Sequence, residues 1–139
     1  MLDSLERPVL NAASLVPDEL RPQILPKYFG RHMMLVETSI YGFLSKIAPE
    51  YKGGYWDLYE IPSGFFMAPS REERLRLQIT SNYFDAEVSG EAAGVIACLF
   101  VYCEMAWREP TSGFSDLYHS LRDFASLHPE ASQIYSAID

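Results

Sequence analysis

Apolar and polar positions alternate with two different periods along this chain, and the change of period divides it into segments. Residues 1–16 show no clear period and read as an irregular lead. Pro17-Asp18-Glu19 suits a first helical turn, with proline at the start and acids near the positive end of the dipole. Pro22 and Pro26 interrupt the next stretch, so two short helical pieces ending near Gly30 are expected. Val36, Ile40, Phe43, Leu44 and Ile47 recur at helical spacing and predict a helix over 35–48, which Pro49 stops.

The period then shortens. Tyr55 to Ile61 is aromatic-rich and fits a strand, Pro62-Ser63-Gly64 marks a turn, and Phe65 to Ala68 begins the return. Leu75, Leu77 and Ile79 alternate with Arg76, Gln78 and Thr80, the cleanest period of two in the chain. Phe84, Ala86 and Val88 alternate with Asp85 and Glu87. Strands this close in sequence predict a four-stranded antiparallel meander over about residues 55–88.

Helical spacing returns after Ser89, an N-cap residue with Glu91 in the first turn behind it. The run 90–107 is apolar over most of its girth and should be the central helix, covering one face of the sheet. Phe114, Leu117, Leu121 and Phe124 form another stripe. A last short helix starts at Pro129, with Ile134, Tyr135 and Ile138 inward. Strands and helices in separate blocks define an α+β fold, its sheet packed with N-terminal and C-terminal helices. The 139 residues suit one domain, 1–139, large enough to bury a core without disulfides or metal.

Composition changes this picture little; charge changes it more. Hydrophobic residues make up 48% and charged residues 22%, ordinary for a globular chain. No apolar run reaches the roughly 20 residues that span a bilayer. The start lacks a basic region followed by an apolar one, so no signal peptide is expected. Cys98 and Cys103 fall in one apolar helix on different faces, which predicts two free, core-packed thiols and a cytoplasmic location. The net charge of −8 is concentrated late: residues 77–139 hold nine acids against Arg108 and Arg122. Direct DNA binding is disfavoured there, because phosphates need basic partners.

Candidate chemistry is sparse. The chain has no phosphate-binding loop, no metal-ligand motif and no nucleophile elbow. Asp116, His119 and Asp123 share one side of a helix, an arrangement that could orient a general base or simply be a solvated face. Tyr55 and Trp56 put aromatics on both faces of one hairpin, so either layers sandwich the sheet or one face is a contact patch. Among the late acids, Asp123, Glu130 and Asp139 are candidate partner contacts, Asp139 adding its carboxylate to that of the chain end.

Three separated segments resemble one family. Gly53-Gly54-Tyr55-Trp56-Asp57-Leu58-Tyr59-Glu60-Ile61 with Gly64-Phe65-Phe66-Met67-Ala68-Pro69 is similar to the core of the ArdB/KlcA antirestriction proteins. Ser89-Gly90-Glu91-Ala92-Ala93-Gly94-Val95 resembles that family's helix start, and 121–139 its ending. Leu58 and Ser63 stand where an aromatic and a glycine are common. The resemblance implies relief of type I restriction without catalysis, to protect incoming mobile-element DNA. It implies no cofactor and no catalytic residues. The partner is then a type I restriction-modification enzyme or an associated host protein, met by a monomer. Two alternatives remain: an acidic DNA mimic, or a small enzyme using Asp116, His119 and Asp123.

Overall fold

A computed structural model describes residues 13–70 and 72–139. Most of the irregular lead, residues 1–12, lies outside the described residues, as does Arg71. The rest forms β1 (Ser14–Leu15), α1 (Arg21–Phe29), α2 (Met33–Ile47), β2 (Trp56–Ile61), β3 (Gly64–Pro69), β4 (Arg74–Ile79), β5 (Phe84–Ser89), α3 (Gly90–Arg108), α4 (Phe114–Ala125) and α5 (Ala131–Ile138). The α+β class holds, and every strand expected from the period of two is present.

Their arrangement differs from one meander. β1, β2 and β3 form a three-stranded antiparallel sheet, while β4 and β5 form a separate two-stranded ribbon. β1 comes from the end of the supposed lead, with Ser14 opposite Glu60 and Leu15 opposite Tyr59. Period alone cannot reveal a two-residue strand. The split has a local cause. β3 pairs with β2 along one edge only. Its other edge is taken by α3, which leaves β4 no place beside it.

α3 lies against that edge through Gly90, Gly94, Cys98 and Tyr102, spaced by four residues and therefore on one side of the helix. A Cβ on Gly94 would fall 2.2 Å from Ala68 Cβ and 2.5 Å from the Met67 carbonyl oxygen. One on Gly90 would fall 2.0 Å from the Ser70 carbonyl oxygen. Only glycine permits this approach. Further along, the Cys98 thiol donates to the Met67 carbonyl at 3.6 Å and the Tyr102 hydroxyl to the Phe65 carbonyl at 2.7 Å. Side chains thus satisfy carbonyls that a neighbouring strand would otherwise take.

Both faces of β3 are covered as well. Phe65 stacks on Tyr28 of α1 at 5.1 Å, and Phe66 packs on Tyr59 and on Phe124 of α4. All six residues of β3 are buried. Trp56 is also core, 2% exposed, its indole N–H donating to the Tyr51 hydroxyl at 2.6 Å. The sandwiched reading of the aromatic hairpin is therefore the right one for Trp56, and the structure removes it from the candidate contacts.

Two further expectations need correction. Cys98 is buried, but Cys103 is exposed, because the apolar stripe of α3 does not reach round the whole helix. The two short helical pieces expected before Gly30 are present as a 3-10 turn, Asp18–Leu20, and α1, but Pro26 sits inside α1 rather than breaking it. α3 is long and apolar enough to cross a membrane, but most of it is buried inside the fold, as expected of the central helix.

Candidate interaction surface

The expected site residues do not converge. Asp116, His119 and Asp123 are all exposed on α4, opposite the buried Phe114, Leu117 and Leu121. The His119 ring meets Tyr118 edge-on at 5.3 Å rather than either carboxylate. Among the described residues no group of three or more His, Cys, Asp or Glu is placed to hold a metal ion. Tyr55 is exposed but held in place: its hydroxyl donates to Asp18 at 2.9 Å and Arg21 lies 4.4 Å over its ring.

Two histidine clusters that local pattern does not reveal sit at the ends of α3. At its start, Ser89 caps the helix by accepting from the Ala92 N–H at 3.1 Å. Glu130, just before α5, accepts from the Ser89 backbone N–H at 2.9 Å and from the Ser89 hydroxyl. The Glu130 N–H donates to His128 Nδ1 at 2.9 Å. That leaves the ring proton on Nε2, which faces Glu91 at 2.8 Å. The assembly clasps α5 to the start of α3. Glu130 is thus a buttress with a partly buried side chain, also 3.8 Å from Arg74. No signal short of the fold joins residues 89–91 to residues 128–130.

At the other end, His32 Nε2 lies 3.6 Å from Glu109 and 3.5 Å from the Ser112 hydroxyl. Serine, histidine and glutamate together invite comparison with a nucleophilic relay. A relay needs the hydroxyl on one ring nitrogen and the carboxylate on the other. Here serine, glutamate and Arg31 all approach the same nitrogen, so the geometry is a packing contact. The cysteines add no nucleophile within the core: burial pushes the Cys98 thiol up to about 12.

Charge pairing sorts the late acids. Asp85 meets Arg76 at 2.8 Å, Glu87 meets Arg74 at 3.4 Å, Glu109 meets Arg31 at 3.8 Å and Asp139 meets Arg122 at 3.4 Å. Glu91 faces His128 and Glu130 faces Arg74. Arg122 is itself held, donating to the Tyr118 hydroxyl at 3.0 Å, so the Asp139 side chain is less free than sequence suggests. Glu104, Asp116 and Asp123 have no cationic partner among the described residues.

The surface has several shallow clefts. One of 370 Å³ lies between the β2–β3 turn and α4, lined by Pro62, Ser63, Ser120, Asp123, Phe124 and Leu127. A hollow of 560 Å³ beside the exposed Trp107 involves Ala106, Pro110 and Ser115. The turn is tightly seated: a Cβ on Gly64 would stand 3.1 Å from Ser120 Cβ. Ser63 has a φ of 60°, unusual for a residue other than glycine.

The fold is thus a small α+β domain whose two histidine clusters are structural contacts between its elements. Comparison supplies the family. A model of the antirestriction protein family matches residues 49–139, and this chain belongs to that family. It is 40% identical to an antirestriction protein KlcA of Escherichia coli, over 99% of this chain and all of that protein. It is 37% identical to the uncharacterized protein YafX of Escherichia coli strain K12, over 89% of this chain and 85% of that one. A solved structure from work on KlcA and ArdB superposes with a TM-score of 0.84 at 41% identity, over 91% of this chain and 94% of the other. Those proteins are described as having a novel fold and antirestriction activity against type I DNA restriction systems in vivo but not in vitro.

Proposed function

We propose that this protein relieves restriction by type I restriction-modification enzymes, without catalysis, and so protects incoming mobile-element DNA. The observation that carries the proposal is the superposition on the KlcA/ArdB fold at 41% identity, together with the activity described for those proteins. Activity seen in cells but not in vitro fits a protein that works through a further cellular component. The partner is the restriction enzyme or a host protein associated with it, met by a monomer.

The charge map argues against the DNA-mimic alternative. A duplex presents one charge per ~1.7 Å of axis. Among the described residues, six of the nine late acids face Arg or His side chains, leaving Glu104, Asp116 and Asp123 without one there. Asp116, His119 and Asp123 share one exposed face of α4, with the His119 ring set against Tyr118 and not against a carboxylate, which argues equally against the enzyme alternative.

Plating unmodified phage on a host with an active type I system, with and without the gene, tests the proposal. Plaque counts should rise when the gene is present. Equal counts overturn it.

A further inference from the structure

We infer that the cleft between the β2–β3 turn and α4 seats a basic side chain, arginine or lysine, presented by a protein partner. Its volume of 370 Å³ lies in the range of about 300–1,000 Å³ typical of binding clefts. Pro62, Phe124 and Leu127 give it apolar walls, and Leu127 is 44% exposed. Asp123 stands on the lining with no cationic partner among the described residues. Apolar walls with one carboxylate match a side chain made of an apolar stem and a cationic head.

The other clefts lack this combination. The groove at the ribbon tip includes Asp85, but Arg76 neutralises it at 2.8 Å. The groove between α2 and α3 carries Lys46 and Glu104 together, so its charges oppose. The Trp107 hollow carries no charge. Of these four clefts, the turn–α4 cleft joins apolar walls to an acid with no cationic partner among the described residues.

The cleft is also preformed. Gly64 presses the turn against Ser120, and Phe124 is backed by Phe66, their ring centroids 5.6 Å apart. Preformed walls reduce the ordering cost of binding. The site joins the hairpin that marks the family to the acidic half of the chain, two regions far apart in sequence.

The test has two arms. In the first, the isotope-labelled full chain is titrated with acetyl-Gly-Arg-Gly-amide and followed by NMR, with the citrulline peptide as the neutral control. Shifts should centre on Ser63, Ser120, Asp123 and Leu127, and citrulline should produce none there. Asp123→Asn should weaken binding about fivefold, the effect of losing one exposed ion pair, with an unchanged melting temperature. Asp116→Asn should bind like the wild type. Shifts scattered over other acids, equal shifts from citrulline, or undiminished binding by Asp123→Asn overturn the inference.

The second arm rests on the antirestriction reading above. Asp123→Lys should lower restriction relief about tenfold, as reversing a contact charge does. Asp116→Lys should leave relief intact, and circular dichroism should show both variants folded. Full relief by Asp123→Lys overturns the cleft as a functional contact. A wild-type protein that gives no relief sinks the antirestriction reading instead, and the peptide arm then decides the cleft by itself.

Discussion

β3 and β4 are strands of equal length, separated by a few residues, yet they live in opposite surroundings. Every residue of β3 is buried, whereas β4 alternates strictly between exposed and buried. β3 has α1 on one face, α4 on the other and α3 along its edge. β4 belongs to a ribbon whose outer face carries Arg74, Arg76, Asp85 and Glu87. Both strands meet the same requirement, that backbone polar groups at a sheet edge must not recruit foreign strands. One is sealed by a helix; the other is guarded by charge. The sealed solution needs side chains absent at two points and two donors present at two others, so it should be the more fragile to substitution.

Gly94→Ala gives the sharpest break. Its new Cβ would overlap Ala68 and the Met67 carbonyl, neither of which can swing aside. A loss of about 3 kcal/mol or more, or failure to fold, is expected for such overpacking. Urea unfolding measures it, and a loss below about 1 kcal/mol would show that α3 can draw away from β3.

Tyr102→Phe keeps the ring and removes only the donor to Phe65. It leaves a buried carbonyl without its hydroxyl partner, which costs about 1–3 kcal/mol. An unchanged midpoint in chemical denaturation would mean that this edge does not depend on the hydroxyl.

A smaller effect comes from Glu60, where the sealed sheet reaches the surface. The Lys27 ammonium, 2.8 Å away, and the Tyr28 hydroxyl hold its carboxyl below the usual carboxylate range. A lowered folded-state pKa means that this contribution is present above the unfolded-state value of about 4.3. It is lost as pH falls through the folded-state value. Unfolding monitored between neutral pH and pH 3 should therefore show a steeper acid loss in the wild type than in Glu60→Gln. Parallel profiles would remove the ion pair from the account.

The smallest effect belongs to the ribbon. Arg76→Ala breaks an exposed pair with Asp85 and should leave the melting temperature almost unchanged. Thermal melting would detect anything larger, and a loss comparable to that of Tyr102→Phe would erase the distinction between the two regions. Because these charges also guard an edge, size-exclusion chromatography of the same variant reports whether they suppress self-pairing.

Legibility followed the range of each interaction. The ribbon was readable because one wet face and one buried face write a period of two into the chain: Leu75, Leu77 and Ile79 inward, Arg76 and Gln78 outward. The N-cap Ser89 was readable for the same local reason, since cap and helix are adjacent. Trp56 was ambiguous because a sandwiched strand carries apolar residues on both faces and loses its period. The glycine-led stripe from Gly90 to Tyr102 was written in the sequence at four-residue spacing, but its meaning depends on which strand lies opposite. Cys103 was misplaced because a helix rich in apolar residues does not announce which flank stays wet.

The candidate surface divides in the same way. Asp123 and Asp139 are both late acids by sequence. Only tertiary structure brings Arg122 to Asp139 and leaves Asp123 beside the Pro62–Gly64 turn. Glu130 changes from surface charge to clasp because Ser89 lies beside it in space. Sequence by itself determined the α+β class, the main helices and the four longer strands, the family and the acidic bias of the second half. These follow from local period, local caps and recognisable segments. Tertiary structure alone decided which strand edge is sealed, which acids are neutralised and where a cleft meets the Asp123 carboxylate. Those depend on distances between residues far apart in the chain, and local patterning carries no record of them.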